Sequence, residues 1–175
     1  MSRQLSNARA SAAGFSLIEL LVAVLITGIG VLGVAALQLV SLQNNRAALA
    51  RTEAVNFAYD MMDRIRANPQ GRGSYDGVAL GTPPPSANSC VAASDCSAGT
   101  MAQFDIALWK CQLGAHIDAA ICASWRKAGV LPDTVVGIGL PDGDGSIALL
   151  GEVVRITVRW MDGQQTRTVV VDSQT

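Results

Sequence analysis

The sequence predicts an α+β protein: a long N-terminal helix, apolar in its first half and amphipathic in its second, packed on a C-terminal antiparallel sheet. Three observations predict it. Residues Leu20 to Leu37 carry no charge and are dominated by Leu, Ile and Val. From Ala47 to Ile65, apolar residues recur every three or four positions, the period of one helix face. Near the C-terminus the period falls to two, with Val154, Ile156, Val158 and Trp160 alternating with Arg155, Thr157 and Arg159.

The apolar run comes first. A helix rises about 1.5 Å per residue, so Leu20 to Leu37 reaches roughly 27 Å, close to the hydrocarbon thickness of a bilayer. The run holds eleven Leu, Ile and Val residues, each worth about −0.3 to −0.6 kcal/mol on the insertion scale. An acid at mid-membrane costs about +2.5 to +3.5 kcal/mol, and less near an end, so Glu19 does not prevent insertion. It remains a cost unless something pairs with it. Gly28, Gly30 and Gly33, at about 1 kcal/mol each against alanine, permit close helix contact or local melting on leaving lipid. The leader, Met1 to Ala13, contains Arg3 and Arg9 and no acid, which places the N-terminus in the cytoplasm and the remainder outside it. Arg46 and Arg51, soon after the span, weaken that asymmetry. A secretory signal peptide cut at Val34-Ala35-Ala36 is the rival reading, and a carboxylate in its apolar core argues against it. An ordinary single-span anchor leaves Gly14-Phe15 and Glu19 without a role.

Past Val40 the helix turns amphipathic. Ala47, Ala50, Ala54, Phe57, Met61 and Ile65 form the apolar stripe, with Arg46, Arg51, Glu53, Asp60, Asp63, Arg64 and Arg66 mostly on the other side. Asp60 and Arg64 make an i,i+4 pair. Pro69 ends the element by disfavouring helical geometry at Asn68. Gln70 to Gly99 reads as a loop, with Gly71, Gly73, Gly77 and Gly81 followed by Pro83-Pro84-Pro85. A second helix is expected from Thr100, where Thr100 and Gln103 make a capping-box pattern, to Gly114. Ile117 to Ala128 reads as a short helical or irregular piece. Thr134 to Leu140 and Ile147 to Leu150 are expected strands, and Asp162-Gly163 is a turn returning the chain through Thr168 to Val171. Trp109, Trp125 and Trp160 are expected in the core.

With a formal charge of −1, or −3 without Arg3 and Arg9, the chain has no strong basic field, so electrostatics do not imply nucleic acid. Catalytic machinery is not visible, and no cofactor is implied. The single histidine, His116, stands near no nucleophile motif and reads as a surface or packing residue. Asp142-Gly143-Asp144-Gly145-Ser146 resembles the start of a calcium loop, but its sixth position is Ile147 and its twelfth Val153, so a tight turn is the better reading. Cys90, Cys96, Cys111 and Cys122 form an even set suited to an oxidising compartment, with three possible connectivities. Cys90 with Cys96 and Cys111 with Cys122 is the preferred pairing. Without a C-x-x-C pair, a zinc site through His116 is disfavoured.

Gly14-Phe15-Ser16-Leu17-Ile18-Glu19 resembles the processing site of type IV prepilins. That resemblance implies cleavage by a prepilin peptidase between Gly14 and Phe15, N-methylation of Phe15, and pairing of the Glu19 carboxylate with the α-amine of a neighbouring subunit during assembly. Ile29-Gly30-Val31-Leu32-Gly33 with Ala36-Leu37-Gln38-Leu39, then Ala58 to Pro69, then Phe104-Asp105-Ile106-Ala107-Leu108-Trp109-Lys110, are similar to minor pilins of the PilV type, the type IV pilus modification proteins. The resemblance spans about half the chain and leaves the intervening loops and the region around Gly114 to Val130 unmatched. It implies a leader at 1–14, a transmembrane and filament-core helix half at 15–40, an amphipathic half at 41–69 and a periplasmic pilin domain at 70–175. It further implies a non-enzymatic role in initiating or modifying pilus assembly, hence in twitching motility, attachment or DNA uptake, with other pilins as partners and the inner membrane, then the pilus, as location. A type II secretion pseudopilin and a membrane-anchored periplasmic binding domain are the alternatives.

Overall fold

The structure, a computed structural model, describes residues 14–87, 90, 96–132 and 139–174. In chain order the elements are helix α1 (Leu17–Ala67), a 3-10 helix (Pro69–Tyr75), helix α2 (Ala98–Leu113), helix α3 (Ala120–Lys127) and strands β1 (Asp144–Leu150), β2 (Val153–Asp162) and β3 (Gln165–Gln174). The strands form one antiparallel sheet in the order β1-β2-β3. The chain divides into two compact units, Met1–Asn45 and Arg46–Thr175. Helix α1 is continuous through Gly28, Gly30 and Gly33.

In the first unit, every described residue is exposed. In the second, the amphipathic part of α1 buries Ala54, Ala58, Met61, Met62 and Ile65. Ala50 and Phe57 of the expected stripe are only partly covered, while Ala58 and Met62 extend the buried face sideways. These side chains meet Tyr75, Ile106, Trp109, Leu113 and the inward row Ile147, Val154, Ile156, Val158 and Trp160 of the sheet. The two-residue period of β2 places that row inside and Arg155, Thr157 and Arg159 on the other face.

Helix α2 is covered on two sides. Ala102, Ile106, Trp109 and Leu113 face the sheet core, while Phe104, Ala107 and Cys111 face a second cluster with Cys122, Trp125 and Leu131. A helix apolar nearly all round is one that is buried nearly all round. Phe104 and Trp125 lie with ring centroids 5.1 Å apart. Gly145 of β1 abuts the Trp109 ring so closely that a Cβ there would overlap it.

Several boundaries differ from those expected. Helix α2 starts earlier than Thr100: its N-cap is Ser97, whose hydroxyl accepts from the Thr100 amide at 3.2 Å. Thr100 is the third residue of the helix, and the true cap was hidden in a serine- and glycine-rich stretch. The supposed loop from Gln70 opens with the 3-10 helix, because Asn68 caps the Gly71 amide and Pro69 supplies a suitable first position. Of the expected strand Thr134 to Leu140, residues 134–138 lie outside the described residues, and Gly139 and Leu140 are not in a strand. The strand expected from Ile147 begins three residues sooner, at Asp144. Asp162 and Gln165 pair across the two-residue turn, as the Asp-Gly signal requires, with Gly163 at φ 63°.

Val158 is fully buried, paired across the sheet with Gly145 and Val169. Replacing it by Asp places an unpaired charge there, a cost above about 3 kcal/mol. Thermal unfolding of the mature chain in detergent, followed by near-UV circular dichroism, should show the domain's cooperative transition lost in Val158→Asp and nearly unchanged in Val158→Ile.

Candidate assembly site

The start of α1 is set by Ser16, whose carbonyl accepts the Glu19 and Leu20 amides at 3.0 and 3.2 Å. Gly14, Phe15 and Ser16 precede the helix, and Phe15 is 84% exposed. One turn on from Phe15 stands Glu19, followed along the same groove by Leu20, Ala23, Val24 and Thr27. Thr27 returns its hydroxyl to the Ala23 carbonyl at 2.7 Å, so it does not break the apolar character of the face. The helix is long and apolar enough to cross a membrane, and none of its most apolar window is covered by protein. Its backbone groups bond within the helix, the condition for residence in lipid. A surface of this kind is stable only in lipid or against other apolar helices. Within it, the Glu19 carboxylate calls for a cation. The nitrogen of Phe15 is an amide and carries no charge while it is bonded to Gly14.

At its other end α1 is pinned to the domain. The Arg64 guanidinium donates to Asp60 at 2.9 Å and to Asp105 of α2 at 3.0 Å. The Tyr75 hydroxyl donates to the second Asp105 oxygen at 2.6 Å. Asn68 donates to the Ala98 carbonyl at 2.7 Å and to Tyr75 Oη at 3.3 Å. Burial first, then the neighbouring Asp105 carboxylate, push the Tyr75 phenol well above its ordinary value. For Arg64 burial acts downward, and the two carboxylates outweigh it, so the guanidinium is held more firmly charged. Trp109 Nε1 donates to the Phe57 carbonyl at 3.0 Å, a second tie between α2 and α1.

A buried ion pair ties α2 to the sheet. Lys110 Nζ lies 2.6 Å from Asp144 Oδ1 and 2.9 Å from the Ala79 carbonyl, and both side chains are almost wholly inaccessible. Asp144 also accepts from the Gly81 and Gly145 amides. Burial alone would push the Asp144 carboxyl up; the Gly81 amide, the Lys110 ammonium and the Gly145 amide outweigh it and hold the group below its usual range. His116 Nε2 is 3.7 Å from Asp144 Oδ1, so the histidine is a partly buried neighbour of this pair rather than a member of any catalytic arrangement.

The remaining residues singled out in the sequence are placed as follows. Cys90 bonds Cys96 and Cys111 bonds Cys122, with Cα atoms 6.1 and 5.5 Å apart. The second bond joins α2 to α3. Asp142 takes φ 48° in a turn closed by the Gly143 amide on the Leu140 carbonyl at 2.9 Å. With Asp144 committed to Lys110 and two amides, the stretch Asp142 to Ser146 is a turn and a strand start. Among the described residues no group of three or more His, Cys, Asp or Glu side chains is placed to hold a metal ion. Tyr75, Asp105, Lys110 and Asp144 were missed as a polar framework. Asp105 and Lys110 gave a faint signal, as charges inside the otherwise apolar run from Phe104 to Cys111.

An exposed apolar helix joined to an α+β domain with this sheet is a pilin fold, and its N-terminal sequence is that of a prepilin. Two family models match, and they abut: the prokaryotic N-terminal methylation motif over residues 9–35 and type IV pilin Tt1218 over residues 36–107. The chain is a type IV pilin family protein, structural and non-enzymatic, whose methylation motif implies processing by a prepilin peptidase. No curated protein and no solved structure matches it.

The framework gives a pH signature. Because the Asp144 carboxyl is depressed in the folded chain, its contribution is complete above about pH 4, the unfolded value, and is lost as pH falls through the folded value. Asp144→Asn leaves Lys110 buried without its counter-charge, which costs about 3–5 kcal/mol. Denaturant titrations between pH 2 and pH 7 should show the wild-type stability dropping steeply in acid, and the variant less stable at neutrality with a flatter acid limb.

Proposed function

We propose that this protein is a minor pilin of a type IV pilus, of the PilV type, that initiates or modifies pilus assembly and so serves twitching motility, attachment or DNA uptake. The observation that carries the reading is the single carboxylate, Glu19, one turn beyond Phe15 on the otherwise apolar and uncovered first half of α1. The leader, residues 1–14, is removed by cleavage between Gly14 and Phe15, and the new Phe15 amine is methylated. Before assembly the segment 15–40 sits in the inner membrane with the N-terminus cytoplasmic and the domain periplasmic. During assembly it leaves lipid for a bundle of other pilin helices.

Transfer between those two environments conserves the burial of apolar surface, so the apolar contacts alone give little preference for one axial position over another. Register comes from the charge pair. In a low-dielectric bundle, Glu19 and the Phe15 amine of a neighbouring subunit attract far more strongly than in water, and each relieves the other's desolvation. The PilV-type reading draws on the blocks Ala58 to Pro69 and Phe104 to Lys110. Those blocks bond to each other through Arg64 and Asp105, so they belong to one structural unit.

Two measurements test this. N-terminal sequencing of the protein recovered from sheared pili should begin at N-methylated Phe15; a start at Leu37, after the Val34-Ala35-Ala36 site, would overturn the reading. Glu19→Ala should insert and be cleaved normally, yet its recovery in filaments should fall about tenfold. Undiminished incorporation would remove the register role.

A further inference from the structure

The two edges of the sheet are treated in opposite ways. The outer edge of β1 is covered: the Ile147 amide donates to the Val78 carbonyl at 2.9 Å and the Leu149 amide to Asp76 Oδ1 at 2.8 Å. Strand β3 has ten residues, about 33 Å of edge. Among the described residues, its backbone bonds to β2 and to no other main chain. Sheet edges of this length are ordinarily guarded by proline, lysine or a bulge. β3 has no proline and no lysine, its pairing with β2 runs without a bulge from Gln165 to Gln174, and its one acid, Asp172, is paired with Arg155 at 2.7 Å.

The side chains beside this edge specify a partner. On the inward face, β2 presents the fully buried Ile156 and Val158 and the nearly buried Trp160, whereas their neighbours Val171 and Val169 are half-covered and Arg167 is exposed. Next to Arg167 lies a cleft of about 500 Å³ lined by Ala47, Ala48, Arg51, Trp160, Asp162 and Arg167, among others. Two guanidinium groups face one carboxylate there. Asp162 lies 3.4 Å from Arg167, and Arg51 has no ion pair among the described residues. Trp160, only 4% exposed, has an Nε1–H without an acceptor among the described residues. The cleft is short of one negative charge, which a carboxylate supplies.

We infer that β3 is a docking edge for an extended segment of a neighbouring pilin subunit, which continues the sheet and places an acidic side chain in the cleft of Arg51, Trp160 and Arg167. This rests on the filament reading above. Main-chain hydrogen bonds along β3 hold the segment, and its alternate side chains are read separately. Those facing inward are apolar beside Val169 and Val171 and acidic beside Arg167; those facing outward lie with Thr168 and Val170.

The test uses the full chain in piliated cells, with the photoreactive residue p-benzoylphenylalanine at Thr168, Val170 or, as a control off this edge, Leu150. After irradiation, sheared filaments are digested and cross-linked peptides sequenced. Positions 168 and 170 should cross-link to residues two apart in one acid-bearing segment of a pilin subunit, and Leu150 should not reach that segment. Arg167→Glu should cut the yield about tenfold at an unchanged melting temperature, and Arg167→Lys should restore it. Scattered or absent cross-links from chains that are present in filaments, or no effect of Arg167→Glu, overturn the docking edge and leave the pilin reading standing. A chain absent from filaments overturns both.

Discussion

The Asp105 carboxylate fixes the C-terminal end of the long helix to the domain. Its two oxygens take Arg64 of α1 and Tyr75 of the following 3-10 helix, and Asn68 completes the join by bonding the first residue of α2. Since every described residue up to Arg46 is exposed, everything that holds α1 to the sheet must act between Ala47 and Asn68. The apolar ridge of Ala54, Ala58, Met61, Met62 and Ile65 supplies the burial there. Apolar contact resists sliding poorly, whereas the directional bonds to Asp105 admit one position along the axis.

This division separates two kinds of side chain by what they serve. The described residues of the uncovered half are all exposed, so their identities answer to the environment outside the subunit. Residues of the buried half answer to the fold. Glu19 belongs to the first kind and Arg64 to the second, although both are charges on one helix. The family models follow a related line: the methylation motif ends at residue 35, within the apolar run, and the pilin match takes in the amphipathic half and ends at residue 107, two positions beyond Asp105.

Much of the architecture was legible because it rests on period. The apolar run, the stripe from Ala47 to Ile65 and the alternation in β2 each repeat a simple interval, and Pro69 and Gly163 punctuate them. Helix α2 was harder. With two buried faces, it lacks the polar side that marks a helix boundary, so its start was placed at Thr100 rather than Ala98. The polar framework was less legible still. Nothing local to Asp144 announces that Lys110 will reach it from 34 residues away, and Asp144 instead suggested a metal loop because aspartate-glycine repeats occur in both settings. Glu19 was the opposite case, conspicuous because its neighbours so plainly reject it.

The cystines impose a chemical requirement on one of the two clusters. Cys111–Cys122 lies within the cluster that seats Trp125 against Phe104, and Cys90 belongs to the same cluster through its own bond to Cys96. Bonds of this kind close and persist in oxidising compartments rather than in a reducing cytosol. The second hydrophobic cluster is therefore completed only with an oxidant, whereas the packing of the first needs none. The Cys111–Cys122 bond ties α3 to α2, so the surface that α3 presents depends on the oxidation state of two sulfur atoms beneath it.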